Sequence, residues 1–457
     1  MNIETQTGVA ERGLDRRARH AAGKTLRQLV RRESLADFTP AANRNALAII
    51  AETERDRIQS LIPLRRKSMA ESPHAFLRGA ADVMAADLST QPAPGILAQV
   101  CGDCHLMNFG AFVSPEGHPL FDVNDFDETL PKIDVTIDVR RLATSAVVAA
   151  LGAGKSEQTA RSTARAAVKA YRRAVTKLAA LSPLEAWNTR VPLRDVAAGL
   201  RDRVLHDAVH AAIASHKNED DYADNFPRVA KDSSGDWRVE DKPPRLFHLD
   251  DGEANQFDVN GLIAAAFANL PPHVASLLHR YGLCDIAFKA VGVGSVGTYC
   301  TIALFMSPDD ERLFLQIKEA KRSVLERFGL GASPGAQAKR VVEGQRMMQA
   351  ASDIFLGPML DPASKREFYM RQLKTRRLGG LTELLQNHDL LDYAKLCGRT
   401  LARAHARSAD AVTLAGYMGK SEAFDDALAS FAMLYAQQNA KDYEAFCKQR
   451  GVTPARP

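Results

Sequence analysis

The chain is poor in cysteine and tryptophan, with six Cys and two Trp in 457 residues. Six Cys scattered through so long a chain do not make a disulfide framework and fit reduced thiols. Together with the twelve His they show no zinc-type spacing. No uninterrupted apolar run is long enough to span a bilayer. The opening Met1-Asn2-Ile3-Glu4-Thr5 leads into Arg-rich sequence without the apolar stretch of a secretory signal, so a cytoplasmic protein is expected. The net charge of +5 is too small to argue for nucleic acid, and no RNA-binding aromatic motif backs such a partner. There is no internal repeat and no low-complexity tract. What is present is the composition of an ordinary globular protein, 46% hydrophobic and 25% charged. The length suits two or three domains or lobes.

Residues 1–70 are polar and basic with helical periodicity and suggest an N-terminal helical arm. Ser72-Pro73 opens a helix, with Pro just inside its start. Gly110–Val113 and Leu120–Val123 flank the turn Ser114–Pro119, which predicts a hairpin. Asp138 stands before a long helical stretch as a candidate N-cap. Residues 217–256 are rich in Asp, Lys and Pro and read as a surface excursion, a candidate lid. Strand-like segments begin near Cys284, and the pattern is helical again from Leu381.

The densest chemistry lies in Cys101–Asp127. Asp103 precedes Asn108 by five positions, and Asp122, Asp125 and Asp127 follow. Phosphoryl transfer needs this set: a carboxylate to orient a hydroxyl, and an amide with a carboxylate to hold Mg²⁺. Mg²⁺ keeps several waters, so Asn108 with Asp125 suffices, and Asp127 either shares the metal or replaces Asp125. His105 is a metal ligand, a supporting group or a loop brace. Asp122 and Asn124 are assigned to the turn.

Gly292, Gly294 and Gly297 spell G-x-G-x-x-G around Ser295. A dinucleotide fold needs a helix after this motif. Here β-branched and aromatic residues follow, so a strand is expected, and the motif fits a strand-turn-strand flap over phosphates. Lys318 lies in the next strand but one, on the opposite side of the pleat from Leu313, Leu315 and Ile317. It is placed to meet phosphates beneath the flap, with Glu343 as its expected partner and Glu326 in reserve. Cys101–His105 also matches the C-x-x-C-H haem attachment pattern, but no export signal accompanies it. A redox C-x-x-C pair lacks a thioredoxin-like βαβ context.

The segments Gly102–Gly110, Asn124–Glu128, Arg141–Ser145, Val291–Gly297, Leu315–Ala320, Gly344–Arg346 and Leu401–Arg407 together resemble the bacterial "domain of unknown function 2252" family. The first of them is also similar to the H-G-D-x-H-x-x-N pattern of aminoglycoside phosphotransferases and protein kinases, with Cys101 in place of the leading His. Asp103, His105, Asn108, Asp125 and Asp138 fall on that pattern. In ordinary kinases the Gly-rich loop and Lys precede this motif; here they follow it. A circular permutation accounts for the order, because chain order does not fix site geometry.

The resemblance implies an α+β, two-lobed, kinase-like fold. Residues 71–284 would carry the catalytic and metal loops, 285–378 a small β-rich lobe, and 379–457 helices completing the large lobe. ATP and Mg²⁺ are the implied cofactors. Asp103, His105, Lys318 and Glu343 would be catalytic. Gly292, Gly294, Ser295, Gly297 and Lys318 would hold phosphates, and Arg371 and Leu373 would lie against adenine. The acceptor is an unknown hydroxyl compound or protein. Two rivals remain open: transfer of AMP in the same cleft, and a nucleotide-sensing or scaffolding pseudokinase.

Overall fold

The computed structural model describes residues 13–199, 203–215, 227–248, 259–290, 292–373 and 389–451. It is a mixed helix-and-sheet protein. No helix among the described residues is long and apolar enough to cross a membrane.

The first strands are short. β1 (Leu97–Val100) pairs antiparallel with β4 (Leu130–Asp134), and β2 (Phe109–Val113) with β3 (Pro119–Val123). The β2–β3 pair is the hairpin that the Ser114–Pro119 turn predicted. The candidate acidic residues occupy the two loops flanking it. A small hairpin follows, β5 (Val229–Lys231) with β6 (Trp237–Val239). It is the described part of the expected lid and is fastened to the main sheet, since Val239 is buried and donates its N–H to Asp285 at 2.7 Å. The rest of that excursion, 216–226 and 249–258, lies outside the described residues.

The main sheet has six antiparallel strands: β7 (Leu246–Phe247), β8 (Gly282–Lys289), β9 (Cys300–Met306), β10 (Arg312–Glu319), β11 (Gly357–Leu360) and β12 (Glu367–Gln372). They lie in the order β11-β12-β10-β9-β8-β7. The sheet reaches back beyond residue 285. Helices Val259–Asn269 and Pro272–Leu278, expected with the preceding segment, pack their apolar face on Leu313, Leu315 and Ile317 of β10. The other face of β10 carries Phe314, Gln316 and Lys318.

The largest core is helical. Thr136–Gly152, Glu157–Leu178, Leu390–His405 and Ala423–Arg450 pack on one another and on the β2–β3 hairpin. Residues 13–70 join this body rather than standing off as an arm. Helix Arg16–Leu29 packs on Ala411–Met418, and Arg44 is held between Asp87 and Asp442, at 2.6 Å from each. Residues 1–12 lie outside the described set.

The long helix after β4 starts at Thr136, and Asp134 rather than Asp138 serves its first turn, accepting from the Thr136 N–H at 2.8 Å. Asp138, within that first turn, is thereby free for a different task.

Helices Leu390–His405 and Glu157–Leu178 touch at a glycine. A Cβ built on Gly398 would lie 2.2 Å from the Ala167 carbonyl oxygen. Helix propensity alone favours Gly398→Ala by about 1 kcal/mol. Overpacking against a backbone carbonyl costs about 1–3 kcal/mol and should dominate. Gly398→Ala is therefore expected to lower the urea unfolding midpoint; a raised midpoint would show that the helices move apart freely.

Candidate active site

A cleft of about 990 Å³ opens between the main sheet and the helical body. Its wall contains Asp103, His105, Asn108, Asp125 and Asp127 from the loops around the hairpin. Gly292, Gly294 and Ser295 line it from the segment joining β8 to β9. The two groups are far apart in the chain: Ser295 and Asp127, which hydrogen-bond, are 168 residues from each other.

The loop bearing Asp103 is held by its backbone. The Cys101 and Gly102 N–H groups donate to the two Asp138 carboxylate oxygens, at 2.8 and 3.0 Å. His405 Nε2 lies 3.1 Å from Asp138, and His405 Nδ1 lies 2.8 Å from the Tyr171 hydroxyl. Gly102 has φ +83°, and a Cβ there would stand 2.3 Å from the Glu128 carbonyl oxygen, so no other residue fits.

Asp103 Oδ1 accepts from Arg141 at 2.5 Å. Oδ2 lies 3.6 Å from His105 Nε2, beyond hydrogen-bond reach. Burial raises the Asp103 carboxyl above its ordinary value, with Arg141 pulling against it. Burial, assisted by Arg78 and Arg141, pushes His105 well below the usual imidazole range, so its ring is neutral. A carboxylate held by one oxygen, with the other uncommitted, is suited to accept a hydroxyl proton.

Asn108 donates its Nδ2 to the Asp103 carbonyl oxygen at 2.6 Å. That fixes the amide so that its oxygen is the free end. Asp125 accepts the Asp127 N–H at 3.2 Å. One amide oxygen and one lightly committed carboxylate are hard oxygen donors and fit Mg²⁺. Asp127, expected beside them as a ligand, is occupied otherwise. Its Oδ2 takes the Lys318 ammonium and the Ser295 hydroxyl (3.2 Å), and its Oδ1 takes the Tyr369 hydroxyl at 2.8 Å. Burial would raise the Asp127 carboxyl, but Lys318 and these hydrogen bonds outweigh it and hold it low. Burial likewise opposes the Lys318 charge, and Asp127 holds that ammonium well above its ordinary value.

Lys318 thus has a carboxylate partner, but not the expected one. Glu343 is exposed on the far side of helix Gln337–Met348 and lies 3.6 Å from Lys339. The reserve, Glu326, accepts from Gln337 at 3.1 Å. The buried residue this helix does send to the site is Arg340, which donates to the Asp127, Thr129 and Lys321 carbonyl oxygens.

The Gly-rich loop follows a strand and precedes a strand. Gly292 and Gly297 have φ +64° and +87°, and Gly294 presses on the Arg78 carbonyl oxygen. The Val296 carbonyl accepts from Arg57 and the Gly297 carbonyl from the Ile58 N–H, both at 2.8 Å. Val291 lies outside the described residues.

Arg371 and Leu373, expected to lie against adenine, stand at and just beyond the end of β12. Arg371 reaches the acidic side, donating to Gln316 at 3.0 Å and to the Asn124 carbonyl at 3.3 Å. Leu373 is buried core, and its N–H is given to the Phe314 carbonyl at 2.8 Å. Residues 374–388 lie outside the described set. Asp122 is not a turn residue but a buried partner of Arg403.

Sequence reasoning gave no role to Arg141, Arg340, Tyr369, Arg57 or Arg78. For Arg141 a signal existed: a cation amid Val139, Leu142 and Ala143 on a buried helix needs a partner.

Among the described residues, the potential metal ligands that lie close together in a group of three are Cys101, Cys104 and Asp138, all buried. Burial pushes the Cys104 thiol up to about 11 and the Cys101 thiol well above its ordinary range. Asp138 is already fully engaged, so this trio braces the loop.

A family described as "Uncharacterized protein conserved in bacteria (DUF2252)" matches residues 57–449, and the chain belongs to that family. No curated protein and no solved structure matches it.

Glu128, on the cleft wall, accepts the Val324 N–H at 2.6 Å, yet burial pushes its carboxyl up to about 8. The folded state then keeps a proton that the unfolded state loses near 4.5. Stability from this group should therefore fall as pH rises from about 4.5 to about 8 and level off beyond. Denaturant titrations of wild type and Glu128→Gln check this. Their stability difference should shift against wild type across that window; a constant difference would refute it.

Proposed function

We propose that this family member is an ATP- and Mg²⁺-dependent phosphotransferase acting on a hydroxyl group, in a two-lobed kinase-like fold of circularly permuted order. The observation that carries the proposal is the Lys318–Asp127 ion pair, which joins residues 191 apart in the chain at the wall of one cleft. The strand order supports it. β8, the Gly-rich loop, β9, β10 with its Lys and then a helix follow one another as the Gly-rich loop and β3 Lys of protein kinases do.

When bound, ATP supplies the phosphoryl group, and Mg²⁺ held by Asn108 and Asp125 would neutralise phosphate charge. The chain's own residues do the rest. Asp103 Oδ2 accepts the hydroxyl proton, while Arg141 fixes the carboxylate so that one oxygen faces the acceptor. Neutral His105 walls the loop without competing for that proton. Lys318 and the Gly-rich loop amides hold phosphate oxygens. Asp127 keeps Lys318 charged and in place, the task first assigned to Glu343. Tyr369 and Arg340 in turn keep Asp127 in place.

Thermal unfolding with and without ATP and Mg²⁺ tests the binding half. A Mg²⁺-dependent rise in the midpoint is expected, weakened in Asn108→Ala and Asp125→Asn. Mass spectrometry of products tests the chemistry, since added phosphate and added AMP differ in mass. Asp103→Asn should keep the nucleotide-dependent rise and lose roughly 10²–10⁴-fold in turnover. Absence of any ATP effect on the wild-type midpoint would defeat the proposal. Binding unchanged in Asp103→Asn, with no turnover by either protein, would favour a nucleotide sensor.

A further inference from the structure

The cleft holds a cation that the motifs do not assign. Arg78 ends the helix Pro73–Gly79, and its side chain lines the same cavity as Asp103, His105, Asn108 and Asp125. Several other cations at or behind that wall are engaged. Arg327 lies 3.2 Å from Glu52 and 3.3 Å from Asp82, and Arg366 lies 2.7 Å from Glu319. Lys318 is paired with Asp127, and Arg57 donates to the Val296 carbonyl. Arg78 differs: its guanidinium makes no ion pair or hydrogen bond among the described residues, and its Nε, like that of Arg57, is buried without a partner. The carboxylates whose charge it feels most are Asp103 and Asp125. Asp103 already holds Arg141, and Asp125 takes the Asp127 N–H. A half-buried guanidinium with no carboxylate fork of its own is open to completion by an anion in the cleft.

The position of Arg78 is set by backbone. Its carbonyl oxygen lies against Gly294, where a Cβ would stand 3.1 Å away. The start of its helix is capped by Ser72, which accepts the Ala75 N–H at 3.0 Å. The side chain therefore enters the cleft where the Gly-rich loop meets the Asp103 loop.

We propose that Arg78 binds the phosphoryl group as it is transferred, an inference that rests on the phosphotransferase proposal above. In that step the acceptor oxygen forms the new P–O bond as the bridging P–O bond of the nucleotide breaks. The acceptor proton passes to Asp103, and the bond pair leaves on the terminal oxygen of the nucleoside diphosphate. The three equatorial oxygens carry the spread charge, and a planar fork of N–H donors suits two of them at once. Lys318 and the loop amides hold the part of the nucleotide that stays behind.

The test compares two ligands on the full chain: ADP with Mg²⁺, and ADP with Mg²⁺ and fluoroaluminate, a planar stand-in for the phosphoryl group. Wild type should bind the second more tightly. Arg78→Met should bind ADP with Mg²⁺ within about twofold of wild type and lose roughly 10²–10³-fold for the fluoroaluminate complex, the range seen when one donor to a developing anion is removed. Arg78→Lys, which keeps the charge without the fork, should fall between and guards against a folding defect in the Met variant. Equal affinity of wild type and Arg78→Met for both complexes would overturn the assignment, as would a wild type that gains nothing from fluoroaluminate. A wild type blind to ADP and Mg²⁺ altogether would instead bring down the nucleotide proposal beneath it.

Discussion

Two opposite charges taken out of water together constrain everything else about this protein. Lys318 is drawn into the interior and Asp127 sits half-buried on the cleft wall, and desolvation penalises both charged forms. The pair is tolerable only because its geometry is complete. The Ser295 and Tyr369 hydroxyls fill the remaining carboxylate positions, and Arg340 fixes the backbone on which the carboxylate rides. Such a pair adds little net stability over an apolar contact of equal volume. Losing one member is another matter, since that strands a charge. The pair therefore works as a register lock between the sheet and the acidic loop.

A second lock runs through the helix Leu390–His405. Arg403 reaches Asp122 of the hairpin strand and the Met348 carbonyl oxygen, while His405 reaches Asp138 behind the Asp103 loop. Arg407 adds a bond to the Gln349 carbonyl oxygen at 2.6 Å. One stretch, Leu401–Arg407, thus ties together the hairpin, the Asp103 loop and the end of the helix that carries Arg340. This is the physical content of the motif. A helix late in the chain is structurally indispensable to a loop near residue 103, which is why the helical body cannot be cut from the C-terminal segment.

Much of this was legible because it is local. Turn residues between apolar runs announced the hairpin, three glycines between strand-like runs announced the loop, and pleat alternation put Lys318 on the face opposite Leu313, Leu315 and Ile317. The failures have physical causes too. Ala338, Val341, Val342, Gln345 and Met348 form the buried stripe of their helix, which turns Glu343 outward. The Lys339–Glu343 spacing was itself a solvent-face signature. Arg78, Arg141 and Arg340 are cations whose partners lie in remote segments, and no local pattern selects such partners. Asp127 was placed with the right neighbours, but its pairing with Lys318 was not read, because a carboxylate close to both a metal set and a lysine is assigned only by distance.

The separation of the two halves along the chain also has a consequence for synthesis. Asp127 leaves the ribosome 191 residues ahead of Lys318. At about 5–20 residues per second, that is a delay of roughly 10–40 s. Throughout it the acidic loop exists without its counter-charge, and His405 and Arg403 have still to emerge. The Asp103 loop therefore gains its last supports only when the C-terminal helices have been made.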